Sequence, residues 1–231
     1  MGAQWKHKGK QESAASKGKL FSKLAKNIII AAKGGADLGA NAKLRIAVEA
    51  AKKASLPRET LERAIKKGAG LLDEQVNYDT VVFEGFGPHR VPVIVECLTE
   101  NKNRTTPNIR FHFKKYQLGT SGSVSWDFLH LGMIEATPPA GADPESAAIE
   151  TGAQDLEAAD DGATRFFTEP GDVDVVTRAL AAAGWTVTSA VLGWKAKNPI
   201  TLDDAARAEV ETWLHEVDAD DDVQHLYVGL A

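Results

Sequence analysis

The segment Gly132–Lys195 decides the fold class. It contains Met133-Ile134-Glu135-Ala136, Pro144–Thr151, Asp155–Ala159, Thr164-Arg165-Phe166-Phe167-Thr168, Val173–Ala183 and Thr186–Lys195. Runs rich in β-branched and aromatic residues read as strands, and the longer alanine-rich runs read as helices. The order is strand, helix, strand, strand, helix, strand, which is the split βαβ or ferredoxin-like pattern. Pro138-Pro139-Ala140-Gly141-Ala142-Asp143 and Asp160-Asp161-Gly162 are polar connections.

Upstream, Tyr78–Glu84 and Val91–Leu98 read as strands around a turn at Gly85-Phe86-Gly87-Pro88-His89-Arg90. Asn103–Tyr116 reads as a helix with Ile109, Phe113 and Tyr116 facing the core, and Ser123–Phe128 as an alternating strand. Downstream, Asp203–Val217 is a helix and Val223–Val228 a last strand. The segment 77–128 lacks the partners that a closed α+β sandwich requires, and the last helix and strand can supply them. The expectation is an α+β chain in which an inserted ferredoxin-like domain, 129–200, interrupts a domain made of 77–128 and 201–231.

Residues 1–76 differ in character. A polar arm, 1–17, carries one aromatic, Trp5. Leu20, Leu24, Ile28 and Ala31 repeat at helical spacing, with Lys19, Lys23 and Lys26 on the other side, and Gly34-Gly35 stops that helix. Asn41 caps a second helix to Ala54, lined by Leu44, Val48 and Ala51. Pro57 opens a third, with Leu61, Ala64 and Ile65 inward and Gly68 as its stop. Together they predict a small three-helix bundle.

Charge separates this module from the rest. Residues 1–70 hold 16 Lys and Arg against 5 Asp and Glu, whereas the other 161 residues hold 11 against 27. Lysine and arginine on helix faces neutralise phosphates without reading bases. Trp5 and His7 beside Lys6, Lys8 and Lys10 add stacking surfaces to a cationic arm. The expected nucleic-acid contacts are Trp5, Lys6, His7, Lys8, Lys10, Lys17, Lys19, Lys23, Lys26, Arg45, Lys66 and Lys67. Reversing Lys19, Lys23 and Lys26 to Glu is expected to abolish binding and spare the α+β fold. Asn101, Asn103 and Arg104, at a strand-to-helix junction, read either as a second anion site, through their backbone N–H groups, or as ordinary helix capping.

Other chemistry finds little support. Six histidines, at 7, 89, 112, 130, 215 and 225, are scattered. No C-x-x-C, H-E-x-x-H, Walker or Rossmann spacing occurs, so no metal, cofactor or enzyme activity is expected. Asp218, Asp220, Asp221 and Asp222 lack the pattern of a calcium loop and read as a solvated connection. The single Cys97 lies in an apolar strand and reads as a buried small hydrophobe. Apolar runs are too short to span a membrane, no secretory signal is read, and a cytoplasmic protein is expected.

Several strings resemble the YebC/PmpR family. They are Gly18-Lys19-Leu20-Phe21-Ser22-Lys23-Leu24, Asn41-Ala42-Lys43-Leu44-Arg45, and Leu56-Pro57 with Glu62-Arg63-Ala64-Ile65-Lys66-Lys67-Gly68. Tyr78, Glu84-Gly85-Phe86-Gly87-Pro88, Val95-Glu96-Cys97-Leu98-Thr99, Asn101-Lys102-Asn103-Arg104-Thr105, Gly122-Ser123-Val124 and Asp221-Asp222-Val223-Gln224 continue it in order. The resemblance implies three domains: an N-terminal helical one and two α+β ones, the third inserted in the second. It also implies a cytoplasmic DNA-binding transcriptional regulator, with relatives that act in translation. Two departures stand out. Gly2-Ala3-Gln4 precede Trp5 where the family has Gly-His-Ser-Lys, and Gly87-Pro88-His89-Arg90 replaces Gly-Pro-Gly-Gly.

The sequence therefore reads as a non-enzymatic nucleic-acid-binding regulator of gene expression, with a DNA-binding transcriptional regulator first. A ribosome-associated translation factor gripping structured RNA is the alternative. An interaction scaffold whose basic bundle meets an acidic protein is the third. In the first two readings the acidic α+β domains contact a protein partner or shape the complex.

Overall fold

The computed structural model describes residues 14–73 and 77–231. The chain is α+β. Its elements run α1 (Ala14–Ala32), α2 (Ala42–Lys53), α3 (Arg58–Gly68), β1 (Asp79–Phe86), β2 (Pro92–Thr99), α4 (Lys102–His112), β3 (Gln117–Leu118) and β4 (Phe128–Thr137). Then follow α5 (Pro144–Thr151), β5 (Asp155–Ala158), β6 (Thr164–Thr168), α6 (Val173–Ala182), β7 (Thr186–Ala196), α7 (Asp204–Asp218) and β8 (Val223–Val228). Two compact units result, each discontinuous in sequence. One contains the chain up to Lys26, Leu72–Leu129 and Trp194–Ala231; the other contains Asn27–Leu71 and His130–Gly193.

The first unit carries a sheet in the order β3-β1-β2-β8. The C-terminal strand pairs antiparallel with β2, from Val93 opposite Val228 to Cys97 opposite Val223. In β2, Val93, Val95 and Cys97 share one face, since side chains alternate along a strand. They meet Val210, Trp213, Leu214 and Val217, the apolar stripe of α7, together with Ile109 and Phe113 from α4 and its end. Asp203 caps α7 by accepting the Ala206 N–H at 2.8 Å. Cys97 is fully buried here, and burial first of all pushes its thiol up to about 12.

Two expectations fail in this unit for one reason. The helix expected to reach Tyr116 ends at His112, and Ser123–Asp127 is a turn rather than a strand, with β4 starting at Phe128. Phe113 stays in the core while the chain reverses, with the Tyr116 N–H bonding to the Phe113 carbonyl at 2.9 Å. That reversal lays Leu118 beside Gly85 of β1. The following loop then wraps around the buried Glu84, whose carboxylate accepts the N–H groups of Gly122, Val124 and Ser125 at 2.8, 2.9 and 2.9 Å. Burial alone would push this carboxyl up, but the three amides outweigh burial and hold it below its ordinary value. Side-chain alternation in 123–128 suggested a strand, but the backbone donors there already have a carboxylate.

The second unit has the strand order β5-β6-β4-β7 expected of a split βαβ fold. Its core joins Ile134, Ala147, Phe166, Val176, Leu180 and Trp185, with the Phe166 and Trp185 rings edge to face at 5.1 Å. Across the sheet, Arg165 of β6 lies between Glu135 of β4 and Glu157 of β5 in register and bonds to both. A strand buried along its whole length thus carries its one cation against two carboxylates.

The helices of this unit follow their sequence signals. Asn41 Oδ1 accepts the Leu44 N–H at 3.0 Å, while Asn41 Nδ2 donates to the carbonyls of Ala31 and Gly35. One side chain therefore caps the start of α2 and the end of α1. Leu44, Val48 and Ala51 of α2 and Leu61 and Ala64 of α3 are buried. α3 ends at Gly68 as expected, and Gly68 has a second role. A Cβ there would sit 2.2 Å from the Ile29 carbonyl oxygen, so glycine is needed for close approach to α1. The left-handed stop is Gly70, at φ 71°, and the Leu71 N–H reaches back to the Lys66 carbonyl.

Glu84→Ala should destabilise the protein by about 2 kcal/mol, because the buried Val124 N–H and its neighbours lose their acceptor. Glu84→Gln, which keeps one carbonyl acceptor, should cost less. Urea titrations of both variants check this; unchanged midpoints would contradict the role given to Glu84.

Candidate nucleic-acid interface

The three lysines placed together on α1 point at an acidic loop of their own chain. Lys19 Nζ bonds to the Ala219 carbonyl. Lys23 Nζ meets Asp218 Oδ1 at 2.7 Å and the Asp218 carbonyl at 3.2 Å. Lys26 Nζ reaches the Asp221 carbonyl at 2.6 Å, the Leu98 carbonyl at 3.1 Å and Asp222 Oδ1 at 3.5 Å. An ammonium has three protons, and these acceptors use all of them. The same nitrogen lies 5.8 Å from the centre of the Tyr78 ring. Burial is the main cause that pushes the Tyr78 hydroxyl up to about 12.

Asp222 is the hub of this arrangement and is only 3% exposed. Arg104 Nη2 lies 3.0 and 3.1 Å from its two oxygens. The Thr105 hydroxyl is 2.7 Å from both Asp222 Oδ2 and Thr99 Oγ1. Having one proton, Thr105 donates to the carboxylate and accepts from Thr99. The Asp222 N–H donates to Asp220 Oδ1 at 3.0 Å, and the Asp222 carbonyl accepts the Leu98 N–H at 2.7 Å. Asp220 in turn faces His112 Nε2 at 3.6 Å. That contact is the main cause holding the Asp220 carboxyl below the usual carboxylate range, against the effect of its burial.

The acidic run is therefore no solvated connection. It was misread because charge runs usually face water, and the matching signal lay far away in sequence. Lys19, Lys23 and Lys26 recur at four- and three-residue spacing, on one helix face, opposite Asp218, Asp220 and Asp222. On this geometry, reversing these lysines is expected to disturb the fold as well as any binding. Glu at 19, 23 and 26 would face Asp218 and the nearly buried Asp222.

The other expected contacts fall in different places. Trp5, Lys6, His7, Lys8 and Lys10 lie outside the described residues. Lys17 is exposed. Arg45 is exposed on α2, with Nη1 3.2 Å from the Leu38 carbonyl, and Lys66 is exposed on α3, while Lys67 is half-buried. Sequence reasoning passed over Lys43, Lys52 and Lys53, which are also exposed on α2. The two helices carry eight Lys and Arg against three Glu. Arg58 of α3 is paired on the surface with Glu62 at 2.7 Å. At the expected second anion site, Asn101 Oδ1 already accepts the N–H groups of Asn103 and Arg104 at 3.1 and 3.3 Å, and Arg104 is committed to Asp222. Among the described residues no group of three or more His, Cys, Asp or Glu is placed to hold a metal ion, and no helix is long and apolar enough to cross a membrane.

Removing Asp222 should leave the buried Thr105 hydroxyl without its acceptor and take one partner from the part-buried Lys26, while Arg104, whose side chain is 60% exposed, turns to water. Asp222→Ala is expected to cost about 2 kcal/mol, the scale of losing hydrogen bonds to a charged acceptor. A loss below 1 kcal/mol in urea unfolding would show that the hub is dispensable. The pH dependence has a definite sign. Asp220 titrates lower in the folded chain than in the unfolded one, so its stabilisation is complete above the unfolded value of about 4 and disappears as pH falls through the folded value. Asp220→Asn should flatten the fall of the unfolding midpoint below that pH; an unchanged slope would contradict the His112 contact.

Comparison with known proteins is consistent over the whole length. Residues 2–71 match the TACO1/YebC protein N-terminal domain, and residues 78–230 match the TACO1/YebC second and third domain. A protein of Pseudomonas fluorescens named probable transcriptional regulatory protein is 60% identical over 233 residues, covering 100% of both chains. A Polaromonas protein of the same name is 58% identical over 236 residues, again covering 100% of both. The crystal structure of a conserved hypothetical protein from Aquifex aeolicus superposes with a TM-score of 0.82 at 37% identity, covering 99% of this chain and 96% of that one. With both of its parts matched in order, the chain belongs to the TACO1/YebC family.

Proposed function

We propose that the chain is a regulator of gene expression that acts in the cytoplasm by binding nucleic acid, with duplex DNA as its target. The observation that carries this reading is the exposed cationic surface of α2 and α3, where Lys43, Arg45, Lys52, Lys53 and Lys66 stand in solvent. Such a surface suits a phosphate backbone, because each neutralised phosphate releases counterions. The name printed for the relatives, probable transcriptional regulatory protein, makes DNA the first target.

In this reading Lys17, Arg45 and Lys66 contact phosphate, the arm Trp5–Lys10 adds to them, and Lys19, Lys23 and Lys26 serve the fold. The helices of 1–76 carry the ligand, and the acidic α+β part shapes the complex or meets protein. No base-reading residue is assigned, so most of the affinity is electrostatic and falls steeply with salt.

Arg45→Glu combined with Lys66→Glu should weaken binding to promoter DNA fragments and reduce the slope of log affinity against log salt by about 2. Gel-shift titrations at several salt concentrations read both quantities. An unchanged affinity and slope would remove α2 and α3 from the interface.

A further inference from the structure

α4 is the one basic stretch in the acidic part of the chain. Between Asn101 and Tyr116 there are five Lys and Arg and no acid. Lys102 and Arg104, near the helix start, are paired with Asp79 and Asp222. Arg110, Lys114 and Lys115, near its end, are exposed and make no ion pair among the described residues.

Aromatic rings interleave with these cations. Phe111 is 71% exposed, far more than a phenylalanine needs for packing. Tyr116 is 37% exposed and held in place by Trp213, edge to face at 5.4 Å. Trp213 is itself fixed by Phe113 at 5.1 Å and by donating its Nε1 proton to the His112 carbonyl at 3.0 Å. The early end of α4 creates this surface, because the reversal at 113–116 carries Lys114, Lys115 and Tyr116 to the rim of a groove against α7. The groove has a volume of about 760 Å³ and is lined by Phe111, Lys114, Lys115, Tyr116, Thr212 and Glu216, among others.

We propose that this groove binds single-stranded RNA. Fixed rings offer faces for unstacked bases, and neighbouring lysines meet the backbone phosphates. A duplex keeps its bases stacked inside and could use only the cations. The acceptors distinguish RNA from DNA. Glu216 has no ion-pair partner among the described residues, and the Thr212 hydroxyl donates to the Ala208 carbonyl, leaving lone pairs directed outward. A 2′-hydroxyl can donate to such acceptors, and deoxyribose cannot. Glu209, also on the wall, has a carboxylate oxygen 2.8 Å from His89 Nε2.

The test uses the full chain and a fluorescein-labelled oligouridylate of roughly 12 nucleotides. With thiouridine in that probe, irradiation should place adducts on the Arg110–Tyr116 peptide. Phe111→Ala should lower affinity roughly tenfold and remove those adducts, with an unchanged melting temperature because the side chain is exposed. Lys114→Glu with Lys115→Glu should do the same. Adducts confined to other peptides, or full affinity in Phe111→Ala, would overturn the proposal. Equal affinity for an oligodeoxyuridylate of the same length would overturn the assignment to RNA. The chain carrying Arg45→Glu and Lys66→Glu must retain the α4 adduct, so a failure of duplex binding and a failure of this groove are read separately.

Discussion

The carboxylate of Asp222 is the point on which the first unit depends. It is almost closed to water, yet it carries a charge answered by Arg104, Lys26 and the Thr105 hydroxyl. A buried charge persists only when its lone pairs are taken. These partners come from α1 and the start of α4, whereas Asp222 sits in the turn before β8, far away in sequence. The backbone of Asp222 adds a bond to Leu98, which joins the turn to the end of β2. One residue therefore fixes where the first helix lies against its sheet and where the C-terminal strand begins.

That constraint divides the basic residues into two sets. Lys19, Lys23 and Lys26 have their protons directed at carbonyls and carboxylates of the chain, and a phosphate would have to displace these to reach them. The cations of α2 and α3 stand on helices whose inner stripes are closed by Leu44, Val48, Ala51, Leu61 and Ala64. Lys43, Arg45, Lys52, Lys53 and Lys66 are exposed, where counterion release can drive binding. A net charge of +11 over the first 70 residues is real, but charge totals cannot separate cations that hold a fold from cations that wait for a ligand. The His89-Arg90 turn shows the same discipline in the backbone. Both residues keep positive φ, 53° and 59°, where the family pattern has glycines, and each has a partner, Glu209 for His89 and the Phe86 ring for Arg90.

Much of the fold was legible because its signals are local. Runs rich in β-branched and aromatic residues gave β1, β2 and β6, caps and apolar stripes gave α2 and α3, and element order gave the split βαβ sheet. The failures were long-range. Nothing near Ser123–Phe128 shows that its amides belong to Glu84, nearly 40 residues earlier. Nothing near Tyr116 shows that the helix must stop so that Leu118 can reach Gly85. The acidic run 218–222 looked solvated because its partners are about 200 residues away on α1. Of the expected binding residues, Arg45 and Lys66 are exposed, whereas the charge of Lys23 and Lys26 was legible and its direction was not.

The central claim is that the α1 lysines belong to the fold and the α2–α3 cations to the ligand. Hydrogen–deuterium exchange of the full chain, with and without duplex DNA, tests it most directly. The account predicts slower exchange in α2 and α3 on adding DNA, with no change at Leu98 and Asp222, whose amides report the hub. Faster exchange at Leu98 and Asp222 on adding DNA would contradict it, because that would mean phosphate takes the lysines from the acidic loop.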